Sequence, residues 1–400
     1  MSRISIFGYY GQGNAGDEAI LSALIDGIKT ELPSANISVC SANPEETKKS
    51  HHVNAFPFFG TSLKAIAKGL LRKTRSHYIN AIVSFFRSDL IIIGGGGLFF
   101  DSKETNKWIF GYIDLIHRAK RFGKKVALVG ISVGPLHHKG SEDAIAQAFS
   151  LVDLISVRDN TSKNTLIKCG VSPDKIHVIP DLVFTLNSAS DERVIEILST
   201  ESFLYGNNQK NIALTPCCYN TAQSGWMQQY IAFCERAIAE LDCNLWLIPM
   251  QRNDSHDDLA AIETIYSKLS ENAKSRAFIL RGRYNAKEIQ GIISKSNFVL
   301  AERLHGSIMA INTNTPVMSI AYMPKVNGVL ELAKLEDNLI ANNDFLSGNF
   351  IEGTLQLCRS SAESKIAFEK NFSHPRLSAK NNFIFLKQIL VDQSPSIMIK

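Results

Sequence analysis

Four cations stand where strand-like runs end. Arg158 closes "LISVR" (154–158). Arg303 and His305 sit two residues apart in "VLAERLHG", which reads as a strand turning into a helix. Lys325 follows the next apolar run, "PVMSIAY" (316–322). A guanidinium offers an always-charged fork of donors that suits carboxylate and phosphate. Arginine and histidine at a helix N-terminus are electrostatically unfavourable unless an anion binds there. Such a local departure from helix rules points to a functional site. Together Arg158, Arg303, His305 and Lys325 describe a pocket for a small, multiply charged anion. The competing readings are a surface pair between Arg158 and Asp159 and a purely structural histidine.

Two glycine-rich stretches accompany these cations. "LIIIGGGGLFFD" (90–101) runs a buried strand into four glycines. Such a run suits close approach of a ligand or another chain segment, and the N–H groups of Gly96 and Gly97 could form an anion-binding nest. Asp101 follows, either to bind a sugar hydroxyl or to cap the next helix. Near the start, "RISIFGYYGQGNAGDEAIL" contains G-x-G-x-x-G at Gly11, Gly13 and Gly16. A dinucleotide fingerprint would begin directly after the strand and would have an acid at the end of the second strand. Here the motif starts three residues late, and "SVCSAN" carries no acid. Asp17 and Glu18 open the helix instead, which caps it well but repels a pyrophosphate. Asp17 is therefore either a cap or a catalytic, acceptor-binding carboxylate.

Short apolar, β-branched runs alternate with helical patterns along the whole chain. This predicts parallel sheets covered on both faces. The first half has runs at 4–7, 37–40, 90–94, 125–131, 154–158 and 176–179; the second has them at 211–216, 244–250, 277–281, 297–301 and 316–322. The polar stretch 188–210 separates the two halves. The expectation is α/β with two doubly wound Rossmann-like domains, 1–187 and 205–345, and a helical C-terminal extension, 346–400. The cleft between two such domains is the default ligand site.

Composition narrows the class. With 45% hydrophobic and 20% charged residues the chain reads as folded, and its net charge of +5 permits anionic partners without demanding nucleic acid. The seven cysteines form no C-x-x-C pair, and adjacent Cys217 and Cys218 read as small core residues. No metal cluster or cofactor motif is present in the pattern. The N-terminus lacks the basic and apolar regions of an export signal, so a cytoplasmic location is expected. "SLKAIAKGLLRKTR" (62–75) is basic and amphipathic. It suits either peripheral contact with an anionic membrane or an ordinary solvated helix face.

The set "GYYGQGNAGDEAIL", "IIIGGGGLFFD", "SVRDNTSKNTL", "PDLVF" and "ERLHGSIMA…YMPK" resembles the polysaccharide pyruvyl transferase family, from about residue 4 to residue 335. The resemblance implies a GT-B-like fold, phosphoenolpyruvate as co-substrate, and a sugar acceptor, free or lipid-linked, that becomes a pyruvate ketal. It implies that Arg158, Arg303, Leu304 and His305 bind the donor with Lys325, Gly96 and Gly97. It places Asn14, Asp17 and Asp101 on the acceptor side, and Asp17 in the family's G-D-E motif. "YMPK" departs from the family's Y-D-P-K, which loosens the assignment of Lys325.

The chemistry of the residues agrees with this resemblance. Phosphoenolpyruvate carries a carboxylate and a phosphate. Ketal formation needs an acid for its C3 and a base for an acceptor hydroxyl, roles that suit His305 and Asp17 in either order. The rival readings are a GT-B glycosyltransferase using a nucleotide sugar and a non-catalytic scaffold of polysaccharide synthesis.

Overall fold

The computed structural model describes residues 2–58, 75–206, 209–361 and 373–391. The basic stretch 62–75 lies, apart from the backbone of Arg75, outside the described residues. The chain forms two compact units. The first takes Met1–Gln12, Ile20–Leu182 and the chain from Ser378 on; the second takes Gly13–Ala19 and Val183–Leu377.

The first unit holds a seven-stranded parallel sheet. Its strands are β1 (Arg3–Phe7), β2 (Asn36–Cys40), β3 (Asn54–Phe56), β4 (Leu90–Phe99), β5 (Lys125–Val133), β6 (Leu154–Val157) and β7 (Ile176–Val178), in the order β3-β2-β1-β4-β5-β6-β7. The central strands are buried on both faces, and Leu90, Ile91, Ile92 and Ile93 have no exposed surface. That is why they read as unbroken apolar runs rather than alternating ones.

β4 does not stop before its glycines. Gly94, Gly96 and Gly97 pair with Val129, Ile131 and Ser132 of β5, and the register shifts between Gly97 and Phe99. Gly95 has φ +68, and a Cβ there would stand 2.0 Å from Cγ2 of Ile20 on the helix Ala15–Glu31. Close approach of another chain segment thus accounts for Gly95.

The second unit holds a six-stranded parallel sheet. Its strands are β8 (Asn211–Thr215), β9 (Asn244–Leu247), β10 (Ala277–Ile279), β11 (Phe298–Ala301), β12 (Val317–Ala321) and β13 (Leu339–Ala341), in the order β10-β9-β8-β11-β12-β13. In each sheet the order reverses once, between β1 and β4 and between β8 and β11. Those switch points are where an open α/β sheet binds ligands, beyond the carboxyl ends of its strands.

The division of the chain differs from the sequence reading. The units part at Leu182 and Val183, ahead of the polar stretch. That stretch contains the helix Asp191–Thr200, capped by Ser190. The C-terminal region is helical but is not one extension. Phe350–Arg359 packs within the second unit, whereas Asn381–Val391 belongs to the first. There Asn382 accepts from Ser156 Oγ at 2.5 Å, and the Phe385 ring lies tilted against that of His177, 4.6 Å between centroids. Among the described residues no helix is long and apolar enough to cross a membrane.

Candidate active site at the switch point of the second sheet

β11 ends in Ala301, and the next four residues build the site. Glu302 is 1% exposed. Its carboxylate accepts from Cys217 N and Asn220 Nδ2, both at 2.6 Å, and from Trp226 Nε1 and Tyr230 Oη, both at 2.9 Å. Burial pushes its carboxyl pKa up, and these hydrogen bonds act in the opposite sense. Glu302 therefore fastens the segment after β8 to the end of β11.

Arg303 is the N-cap of the helix Leu304–Asn312 and makes no side-chain capping bond. Its Nε and Nη2 donate to Asp258 at 3.0 and 2.6 Å, and its guanidinium lies 4.7 Å from the Tyr219 ring centroid. Burial works against the charge on Arg303, and Asp258 together with Cys217 and Tyr322 holds its pKa above the usual value. Asp258, with no exposed surface, also accepts from the backbone N–H groups of Cys218, Met250 and Gln251. One carboxylate thus ties together the segments that follow β8, β9 and β11. Leu304 is buried beneath the first helical turn.

His305 lies against the glycine loop. A Cβ on Gly16 would stand 2.0 Å from its Nδ1, so only glycine leaves room for the imidazole. The loop is held by antiparallel pairing of Asn14 with Gln251. Ala15 N donates to Met250 O and Arg252 N donates to Gly13 O, each at 2.8 Å. Asn14 Oδ1 caps the helix, accepting from Gly16 N at 2.9 Å and Asp17 N at 3.4 Å. Asp17, half-buried, is thus carried in the first turn beside the His305 contact. The loop forms no dinucleotide turn, because its second half pairs with the residues that follow β9.

The structure places Asn14, Asp17, Arg303, Leu304 and His305 in the second unit. Lys325 is there too, on the helix Pro324–Leu332, with its side chain outside the described residues. Arg158, Gly96, Gly97 and Asp101 belong to the first unit. Arg158 is 1% exposed, and its Nη1 and Nε donate to Asp181 and Ser132 Oγ, both at 2.6 Å. The competing reading, a surface pair with Asp159, does not hold, because Asp159 caps the helix Asn160–Lys168 instead.

Asp101 does not cap the helix Lys107–Arg121, whose N-cap is Asn106. It accepts from the backbone of His137 at 2.5 Å and His138 at 3.3 Å, bracing the segment after β5. Burial alone would raise its carboxyl pKa, but the hydrogen bonds it accepts hold it below the usual value. The thiols of Cys217 and Cys218 are both pushed up to about 12, chiefly by burial, which fits core residues rather than nucleophiles.

Asp258 escapes the sequence reading. "HDDLA" looks like ordinary helix capping, and Asp257 does that work. The pairing of Asp258 with Arg303 appears only in three dimensions.

The family model for polysaccharide pyruvyl transferase matches residues 14–323. The amylovoran biosynthesis protein AmsJ of Erwinia amylovora is 23% identical, over 92% of this chain and 97% of its own. Among solved structures, the UDP-GlcNAc 2-epimerase of Methanocaldococcus jannaschii superposes with a TM-score of 0.63 at 12% identity, over 98% of this chain and 100% of its own. The Escherichia coli ADP-heptose LPS heptosyltransferase II does so with a TM-score of 0.51 at 13% identity, over 92% and 99%. These similarities show the fold, that of the GT-B glycosyltransferases and sugar-nucleotide epimerases. The match over residues 14–323 shows that the chain belongs to the polysaccharide pyruvyl transferase family.

Proposed function

We propose that this protein transfers a pyruvyl group from phosphoenolpyruvate to two hydroxyls of one sugar in a cell-surface polysaccharide or its precursor. The observation that carries this reading is the Arg303-Leu304-His305 turn at the start of a helix, packed against the loop that presents Asp17. The helix N-terminus supplies positive potential for the donor's anionic groups, and Arg303, fixed in place by Asp258, supplies oriented N–H donors. Lys325 is the second residue of the next helix, and its donor-binding role rests on family likeness.

In this reading His305 protonates C3 of the enol, which makes C2 electrophilic, and Asp17 takes the proton of the first attacking hydroxyl. Phosphate then leaves C2 and the second hydroxyl closes the ketal. Of the two hydroxyl protons, one replaces the proton given to C3 and the other departs with phosphate. The two roles of His305 and Asp17 are interchangeable in this scheme. The donor-binding roles of Arg158, Gly96 and Gly97, and the acceptor role of Asp101, rest on family likeness alone.

The test is mass spectrometry of candidate glycans incubated with the protein and phosphoenolpyruvate. A gain of roughly 70 daltons, pyruvate less water, marks a ketal, and inorganic phosphate must appear with it. A second reading, a glycosyltransferase using a nucleotide sugar, is favoured by the fold alone. Calorimetric titration of phosphoenolpyruvate against UDP-GlcNAc and ADP-heptose separates the two.

A further inference from the structure

The first unit contains a cavity of about 420 Å³ that none of the residues above explains. Five aromatic side chains line it: Tyr9 and Tyr10 after β1, Phe58 after β3, and Trp108 and Tyr112 on the helix that follows β4. Lys107 adds a cation to the lining. Gln12 and Ser41 complete the polar part of the wall.

The cavity lies at the carboxyl ends of the strands flanking the β1/β4 switch point, where ligands of doubly wound sheets bind. Phe58 is 61% exposed and Trp108 is 63% exposed. Two large aromatic side chains left open to water beside one cavity are costly unless something stacks on them. Trp226 and Trp246, the other two of the three tryptophans, are buried.

We propose that this cavity holds a hexose ring of the glycan acceptor, stacked on Trp108. A pyranose has a flat face of C–H groups and a rim of hydroxyls. The face carries the weak positive charge that an aromatic π-surface attracts, and the rim needs a few polar partners. Aromatic walls with Lys107 and Gln12 match that pattern. The volume accommodates one or two such rings and is too small for a long isoprenoid chain. The loop that forms one wall, Gly8–Gln12, continues five residues later into Asp17. Calling the ring an acceptor rests on the pyruvyl-transfer reading; the stacking itself does not.

Gly111 provides the test. It lines the cavity from the helix Lys107–Arg121, and a Cβ there meets nothing within 4 Å. Gly111→Leu therefore fills the cavity without a clash at its Cβ, and Gly111→Ala serves as the folding control. Methyl glycosides of glucose, galactose, mannose and N-acetylglucosamine are titrated without phosphoenolpyruvate while tryptophan emission is followed. At least one glycoside should shift the emission of the wild type and of Gly111→Ala. The shift should vanish in Gly111→Leu and Trp108→Ala.

In turnover, the same two variants should raise KM for the acceptor about tenfold and leave KM for phosphoenolpyruvate unchanged. No glycoside-dependent shift, or a shift retained in Gly111→Leu, overturns the proposal. So does a shift produced by farnesyl phosphate and by none of the glycosides. A glycoside shift in a protein that does not turn over phosphoenolpyruvate sustains the cavity as a sugar site and removes the pyruvyl-transfer reading instead.

Discussion

Replacing Asp258 by asparagine changes one atom's identity and leaves the volume almost unchanged. In the native protein Oδ1 accepts from Cys218 N and Arg303 Nη2, and Oδ2 accepts from Met250 N, Gln251 N and Arg303 Nε. Whichever oxygen becomes an amide NH2 then faces at least two donors with no acceptor between them. Arg303, 7% exposed, keeps its charge without a counter-charge. Removing one partner of a buried ion pair costs about 3–5 kcal/mol, a large share of the roughly 5–15 kcal/mol that holds a domain folded. The expected outcome is a second unit near its unfolding threshold, with turnover lost.

The assay is urea denaturation in a Trp108→Phe background, where emission comes from Trp226 and Trp246, both in the second unit. An Asp258→Asn midpoint that corresponds to less than about 1 kcal/mol of loss would refute the reasoning. The double change Asp258→Leu with Arg303→Met removes both charges. It should recover only part of the stability, since three backbone N–H groups still lack their acceptor.

His305→Ala should lower phosphate release from phosphoenolpyruvate about a hundred- to ten-thousandfold while the thermal unfolding curve stays near wild type; near-normal release would remove His305 from the mechanism. Gly16→Ala should reduce turnover although alanine favours helix, because its Cβ cannot share space with the His305 imidazole; equal turnover would show that the imidazole's position is irrelevant. For Glu302→Gln the pH dependence is the readout. The folded carboxyl pKa lies above the ordinary value of 4.5, so the folded state holds the proton to higher pH than the unfolded chain does. That contribution to stability is full below 4.5 and is lost as pH rises through the folded pKa. The wild type should therefore lose stability relative to Glu302→Gln across that rise, measured by denaturation at several pH values, and a difference constant with pH would contradict the assignment.

Most strands were legible because central parallel strands must be apolar on both faces, and Ile91–Ile93 and Leu245–Leu247 are. β3 and β13 were not: Asn-Ala-Phe runs into Pro57 and Leu-Ile-Ala is flanked by Asn338 and Asn342, whereas the equally short edge strands β7 and β10 lie in the longer apolar runs IHVI and AFIL. The helix Asp191–Thr200 was readable in principle. It has a serine cap, acids in its first turn, and Val194, Ile197 and Leu198 on one face, but the charged residues Asp191, Glu192, Arg193 and Glu196 made it look like a linker. In the site, "ERLHG" announced itself by violating helix electrostatics, and the loop of Asp17 by its glycines. The partners did not. Asp258 and Asp181 are far from their arginines in sequence or resemble ordinary acids, and only folding brings them within 2.6 Å.

The return of Asn381–Val391 to the first unit has a consequence for biosynthesis. Phe383 fills the space over Gly27, Asn382 engages Ser156, and Phe385 covers His177, so segments on either side of Val183–Leu377 share one core. A ribosome delivers the first sheet early but withholds this covering helix until the whole stretch Val183–Leu377 has emerged. The second unit, apart from the loop Gly13–Ala19, is contiguous from Val183 to Leu377 and can close before then. During that interval the first unit waits with an apolar strip uncovered, a window in which a chaperone has something to hold.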